Sequence, residues 1–464
     1  MRLSRPSALL AAALLAAGAA RAAEAPPPPD EHPVLFEIAG AVSPDQLHAT
    51  IQTLVGFGTR HTASDTVSTT RGIGAARRWV AGRFAEIARD CGGRLRIETP
   101  SEVFTGERLP QPTEVMDVLA IQPGASDPDR VVIISGHLDS RNSQPLDAVH
   151  DAPGANDDGS GTAAVIEAAR VLSRYRFPAT IVYAVLSGEE ENLYGGRILA
   201  RYATDHGWRV EAQLNNDIVG NTEGLNGVRD DTHVRVFSEG TKAVETPEQA
   251  DRRRYNGGEV DSPARQIARF MDGLADRYLT NLDVKMVYRT DRYSRGGDQV
   301  PMLEAGFPAV RVTEAVEKLH TPAPGRPRRE RRGLWRRDLR RRLPVSGPGD
   351  PAERHRPGLA GVRPAAADRR EDRRRGQRRH DGELTASPGA VGYRVWWRDT
   401  TDPQWRYGRW AGAATSLTLK DVVIDDWFFG VSAVSADGFA SPVEFPGPAG
   451  SFVSPPPPPL APAK

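Results

Sequence analysis

The stretch VVIISGHLDS (131–140) decides the reading of the fold. Its first six residues are apolar or small, and His137 and Asp139 follow at once. A short apolar run of this kind fits a strand buried on both faces, and the carboxyl end of such a strand is where an α/β sheet presents chemistry to a ligand. The pattern repeats on both sides. VMDVLAI (115–121), TIVYAVLS (180–187), QLNNDIVG (213–220), VKMVYR (284–289) and FPAVRVTEA (307–315) read as strands, and helical patterns fall at 46–55, 73–89, 161–172, 196–202 and 262–278. Strands separated by helices require crossovers, so the chain is predicted to build a three-layer α/β domain around a mixed, largely parallel sheet.

The remaining composition bounds the function. Of 464 residues, 39% are hydrophobic and 26% charged, enough to pack a core, which excludes a wholly disordered or collagen-like chain. A net charge of +1 hides a segment from Gly325 to His380 with 20 Arg, no Lys and 7 acidic residues, which leaves the rest of the chain at −12. The single cysteine, Cys91, excludes an internal disulfide framework and a Cys-rich zinc module. Residues 1–22 read as a secretory signal peptide: Arg2 and Arg5, an apolar run from Ala8 to Ala20, then small residues at the cleavage site. That run is too short to span a bilayer. The expected location is therefore outside the cytoplasm, secreted or periplasmic.

Chemistry-bearing residues fall at or just after the predicted strand ends. His137 offers an imidazole, and Asp139 is spaced to hold its second ring nitrogen. APGANDDGSG (152–161) puts Asp157 and Asp158 in a glycine-rich turn that opens a helix, more acid than an N-cap requires. GEEENLYGG (188–196) places Glu189 and Glu190 directly after a buried strand, where adjacent carboxylates repel unless a cation neutralises them. Asp217 ends QLNNDIVG, and His320 follows the 307–315 strand, with Gly296, Gly297 and Asp298 upstream. Imidazole and carboxylate without thiolate suit zinc and related divalent ions.

HLDS, APGANDDGSG, SGEEENLYGG and LNNDIVG, in this order and spacing, resemble the secreted zinc peptidases of the M28 type, bimetallic aminopeptidases with a phosphorylase/hydrolase-like α/β fold. The resemblance covers about residues 45–320. It implies two zinc ions, with His137 on one, Asp157 bridging both, Glu190 and Asp217 each on one, and His320 in the place of the last ligand. It also implies Glu189 as general acid/base, Asp139 as the residue orienting His137, and peptides as substrates. A single-zinc relative such as a glutaminyl cyclase, or an inactive peptidase-like binding protein, are the alternative readings. Oligomeric state is not legible.

The resemblance breaks after His320. The family typically carries a His followed closely by Asp, in runs such as HQHQD, whereas this chain turns into Arg- and Pro-rich sequence. Codons for Thr321 to Arg336, read one base later, permit His-Gln-His-Gln-Asp-Val-Arg-Val-Glu-Asn-Gly-Val-Val-Tyr-Gly-Asp, so our hypothesis is that about 321–383 is an out-of-frame translation. Clean DNA reads with no missing or extra base at either boundary would remove it. The segment lacks an apolar face and is expected to be disordered. No aromatic interleaving or helix-turn-helix pattern accompanies its charge, so no nucleic-acid partner is assigned. The domain reading is thus signal peptide 1–22, Pro-rich linker 23–42, peptidase domain 43–320, Arg/Pro-rich segment 321–385, a partial fibronectin type III-like sandwich 386–453, and a Pro-rich tail 454–464.

Overall fold

The computed structural model describes residues 26–293, 295–317 and 387–445, apart from 388 and eight positions within 415–425. The leader, His320, the Arg-rich segment and the Pro-rich tail lie outside the described residues.

The strands are β1 (Arg96–Glu98), β2 (Ser101–Gly106), β3 (Leu109–Met116), β4 (Val118–Gln122), β5 (Asp127–His137), β6 (Ala179–Leu186), β7 (Arg209–Asn216), β8 (His233–Phe237), β9 (Asp283–Val287) and β10 (Ala309–Glu314), with β11 (Ala390–Asp399), β12 (Tyr407–Gly412) and β13 (Trp427–Ser435) toward the C-terminus. The helices are α1 (Pro33–Gly40), α2 (Pro44–Gly56), α3 (Gly72–Asp90), α4 (Gly159–Leu172), α5 (Tyr194–Asp205), α6 (Pro247–Asn256), α7 (Pro263–Tyr278) and α8 (Gln299–Glu304). One eight-stranded sheet has the order β1-β4-β6-β5-β7-β10-β8-β9. Its centre, β6-β5-β7-β10, is parallel, and antiparallel pairings flank it.

Alternation along the strands sends side chains to two cores. Val182, Ala184 and Leu186 of β6 face α5, α7 and α8, while Tyr183 and Val185 face α2, α3 and α4. Because both faces are covered, these strands carry continuous apolar runs, which is why they were legible in the sequence. The expected three-layer, mixed and largely parallel arrangement is the one observed.

Three local differences have physical causes. VMDVLAI is two strands, because Asp117 turns inward between β3 and β4 and its Oδ1 accepts the Ser187 N–H at 3.0 Å. The β2–β3 hairpin escapes a sequence reading because LPQPTEVM contains two prolines, which argue against a strand, and its residues are largely solvent-facing. The stretch 23–42, read as a linker, contains α1, anchored by Phe36 edge-on to Tyr278 of α7 at 5.0 Å.

Among the described residues the C-terminal module is one three-stranded antiparallel sheet, β12-β11-β13, rather than a two-sheet sandwich. It docks on α7. The buried Arg398 guanidinium of β11 donates to both oxygens of Asp261, at 2.8 and 2.9 Å, while Arg269 donates to the same carboxylate at 2.7 Å. Trp405 donates its indole N–H to Gln266 at 3.0 Å. The segment before α1 closes the junction: His32 stacks on Phe439 at 3.8 Å, and its backbone N–H donates to the Tyr278 hydroxyl.

Candidate metal centre

The central parallel strands end level with one another, and the loops leaving them converge. His137 is the last residue of β5, paired with Leu186 of β6, and Asp217 follows Asn216 of β7, which pairs with Val312 of β10. Glycine permits the close approach of the third element. A Cβ at Gly136 would lie 2.6 Å from the Gly161 carbonyl carbon, and one at Gly161 would lie 2.2 Å from the Asn216 oxygen, so α4 begins directly against β5 and β7.

Asp158 caps α4 and also joins the three loops. Its carboxylate accepts N–H groups from Gly161 at 2.8 Å, His137 at 3.0 Å and Ile218 at 3.1 Å. Thr162 donates its hydroxyl to the His137 carbonyl. The second acid of the Asp157–Asp158 pair is therefore structural, and Asp157 is left free to face the mouth, its side chain 47% exposed. Arg60, buried, donates to the carbonyls of Leu54, Leu138, Pro153 and Gly154 and fixes the loops on either side of the site. Burial lowers its pKa to about 10, against the pull of Asp139, Asp158 and Asp157.

His137, Asp157 and Asp217 come together, each offering one donor atom within 4.8 Å of the others. His137 Nε2 lies 3.2 Å from Asp157 Oδ1 and 3.8 Å from Asp217 Oδ1, and it is buried with no hydrogen-bond partner among the described residues. Two ligands of one tetrahedral zinc, each at about 2.0–2.2 Å, stand roughly 3.4 Å apart, so the spacing suits an ion. On its other side, His137 Nδ1 faces the Asp139 carbonyl at 3.1 Å and its carboxylate at 3.5 Å. Glu189 Oε2 is 3.9 Å from His137 Nε2.

The electrostatics call for a cation. Burial opposes charge on His137, but Glu189, Asp139, Asp157 and Asp217 outweigh it and push its pKa well up. A metal ion would take the place of that proton. Burial drives Glu189 well above the usual carboxylate range, with Asp217 and Glu190 adding to the effect and His137 opposing it. Burial also disfavours ionised Asp217, yet Arg311 and His137 hold it below the usual range.

The three consecutive glutamates after β6 have three different partners. Glu189 faces His137, the Glu190 carboxylate pairs with Arg141, and Glu191 accepts the Thr62 hydroxyl. Glu190 is thus beside the group but outside it. Burial and the charge of Asp157 push its pKa up to about 7 although His137 and Arg141 oppose the change. His320 lies outside the described residues.

Arg311, Arg141 and Arg60 escaped the sequence reading. Arg311 is fully buried, pairs with Asp217 Oδ1 at 2.8 Å and Asp291 at 3.4 Å, and left one usable signal: a charge in the middle of the apolar strand FPAVRVTEA. A charge inside a covered sheet requires a buried counter-charge nearby. Arg60 and Arg141 sit in loops and left no such mark.

Peptidase family M28 matches residues 117–326. A probable zinc metalloprotease of Pyricularia oryzae is 37% identical over 432 residues, spanning 88% of this chain and 83% of that protein. One from Leptosphaeria maculans is 44% identical over 277 residues, 60% of this chain and 64% of that protein. Among solved structures, the LapA aminopeptidase of Legionella pneumophila is similar at 19% identity and a TM-score of 0.45, over 64% of this chain and 68% of that one. The glutaminyl cyclase of Porphyromonas gingivalis is similar at 16% identity and a TM-score of 0.40, over 60% and 86%.

Proposed function

This chain belongs to peptidase family M28, alongside relatives named as probable zinc metalloproteases, and from that premise we propose that it is an exported aminopeptidase working with two zinc ions. The observation that carries the reading is the convergence of His137, Asp157 and Asp217 beside Glu189 at the ends of parallel strands. Zinc held there would polarise the scissile carbonyl and make water a nucleophile near neutral pH.

The chain's own groups do the rest. His137, Asp157 and Asp217 would hold one ion; Asp157, half-exposed and facing the mouth, is placed to be shared with a second, for which Glu190 and His320 are the remaining ligands in this reading. Asp139 fixes the imidazole from behind, as carboxylates and carbonyls do for metal-bound histidines. It also accepts the N–H groups of Glu189 and Glu190, at 3.3 and 3.1 Å, and so sets the turn that carries both. Glu189, its Oε2 3.9 Å from His137 Nε2, moves the proton: that oxygen takes one from water and returns it to the leaving amine. The apolar leader supports export.

Hydrolysis of aminoacyl anilides by the full chain tests the reading. Release is expected with zinc, is abolished by chelator, and is absent when the substrate amine is acetylated. Release that survives chelation would sink the metal mechanism, and cleavage of the acetylated substrate would sink the exopeptidase reading. A single-zinc centre is the second reading, favoured by the pairing of Glu190 with Arg141 rather than with the His137 group.

A further inference from the structure

We propose that Glu191 is a positioning residue: clamped between Thr62 and His61, it holds the turn that brings Glu189 to the His137 group. The inference rests on the reading of Glu189 as the general base and specifies what keeps that base in place.

Glu191 takes no part in binding metal or moving protons, yet it is the most deeply buried of the three consecutive glutamates. Its side chain is 1% exposed, against 12% for Glu189 and 11% for Glu190. Its Oε2 accepts the Thr62 hydroxyl at 2.5 Å, and its Oε1 lies 3.3 Å from His61 Nε2. Both partners are themselves fixed. His61 Nδ1 accepts the Ala63 N–H at 3.1 Å, so Nε2 carries the ring proton and donates to the Pro145 carbonyl at 3.0 Å. The loop that carries them is fastened on either side: the Arg60 N–H donates to Ser140 Oγ at 3.2 Å, and Ser64 Oγ accepts the Ile73 N–H at 2.9 Å.

The turn needs such an anchor. The Glu189 carbonyl accepts the N–H groups of Asn192 at 3.2 Å and Leu193 at 3.0 Å, and this closure leaves Asn192 and Leu193 at φ of 139° and 58°. Side chains other than glycine are strained there, and residues so placed persist only where their surroundings fix them. Asp139 fixes the backbone of Glu189 and Glu190. The strained pair itself is bracketed by Glu191 on one side and on the other by Tyr194, stacked on Phe104 at 4.2 Å. The Glu189 carboxylate takes its place, 3.9 Å from His137 Nε2, from this turn. Misplacing a reacting group by about 1 Å can cost about 100-fold in rate.

Hydrolysis of aminoacyl anilides by the zinc-loaded full chain, paired with amide hydrogen exchange of residues 188–194, tests this. Glu191→Met keeps the length of the side chain and removes both oxygens, while Thr62→Val keeps the shape and removes the hydroxyl. Each is expected to lower kcat by about 10–100-fold, with KM and zinc content within about twofold of wild type. Each should also speed exchange at Asn192 and Leu193 by about tenfold or more, as the loosening of one local segment does. Thr62→Ser keeps the hydroxyl and should hold both readings near wild type. The proposal is overturned if either reading stays at wild type in Glu191→Met and Thr62→Val, if Thr62→Ser falls as far as Thr62→Val, or if kcat falls only in step with lost zinc. Glu189→Gln runs alongside. If it is as active as wild type, or if wild type shows no zinc-dependent release, the reading of the base itself fails and takes the proposal with it, an outcome distinct from the others. Should Glu191→Met fail to fold by circular dichroism, the two Thr62 variants carry the test.

Discussion

At the junction with the C-terminal sheet, the Asp261 carboxylate is closed in by two guanidiniums and the Gln266 amide, whereas at the strand ends five carboxylates share one imidazole and two guanidiniums. Both clusters are buried charge, but the donors cover the acceptors in the first and fall short in the second. Buried ions that satisfy one another hold two elements in register, and removing one partner is costly. Buried acids in excess of their counter-ions are unfavourable until a cation arrives, so their persistence points to a ligand. Charge balance, rather than burial, separates the fastening from the site.

The largest effect should come from the strand ends. Glu189→Gln keeps the shape of the side chain and removes its ability to carry a proton. We expect kcat to fall by about 10²–10⁴-fold, with zinc still bound and thermal stability no lower than wild type. A loss under tenfold would mean that Glu189 is ordinary buried acid, and the contrast with Asp261 would then not concern catalysis.

Next comes the fastening. Arg398→Ala leaves Asp261 with Arg269 and Gln266 but removes the bond that ties β11 to it, and breaking a buried pair in this way costs about 3–5 kcal/mol. Denaturant unfolding should show that loss, or the C-terminal sheet should unfold separately at lower denaturant, while KM and the zinc affinity of the folded protein stay at wild-type values. A change in zinc affinity would show that the two clusters are not independent.

The same contrast explains how far the sequence could be read. Positions whose chemistry follows from backbone periodicity were legible: His137 and Asp217 sit at strand ends because β5 and β7 are parallel neighbours, and the convergence follows from topology. Asp157 was legible as one acid too many for a helix cap. What the sequence hides is partner choice among adjacent residues. Nothing in Glu189-Glu190-Glu191 says that one faces an imidazole, one an arginine and one a threonine, since those partners, His137, Arg141 and Thr62, come from elements about 50 to 130 positions away. The Arg398–Asp261 pair was likewise invisible, being set by the docking of two units whose sequences are each self-consistent. The hairpin and α1 were missed for another reason: exposed strands and a short helix behind prolines carry little periodic signal.

Asp298 borders the strand-end cluster and gives the smallest, most diagnostic effect. Its Oδ1 accepts the Gly196 N–H at 3.1 Å, while its Oδ2 is buried without a hydrogen-bond partner among the described residues. Burial, with Asp139 and Asp217 adding to it and His137 opposing, pushes its pKa up to about 7. An aspartate in the unfolded chain titrates near 3.9. Between those values the folded protein keeps a proton that the unfolded chain has released, so the contribution is full below the lower value and is lost as pH rises through about 7. Asp298→Asn cannot titrate. In metal-free protein its melting temperature relative to wild type should therefore climb by a few degrees between pH 5 and pH 8, whatever fixed offset the amide introduces. Parallel curves would show that Asp298 is ionised at little cost. The acid surplus of the strand-end cluster would then stop short of Gly196, and the site would be smaller than its charge count suggests.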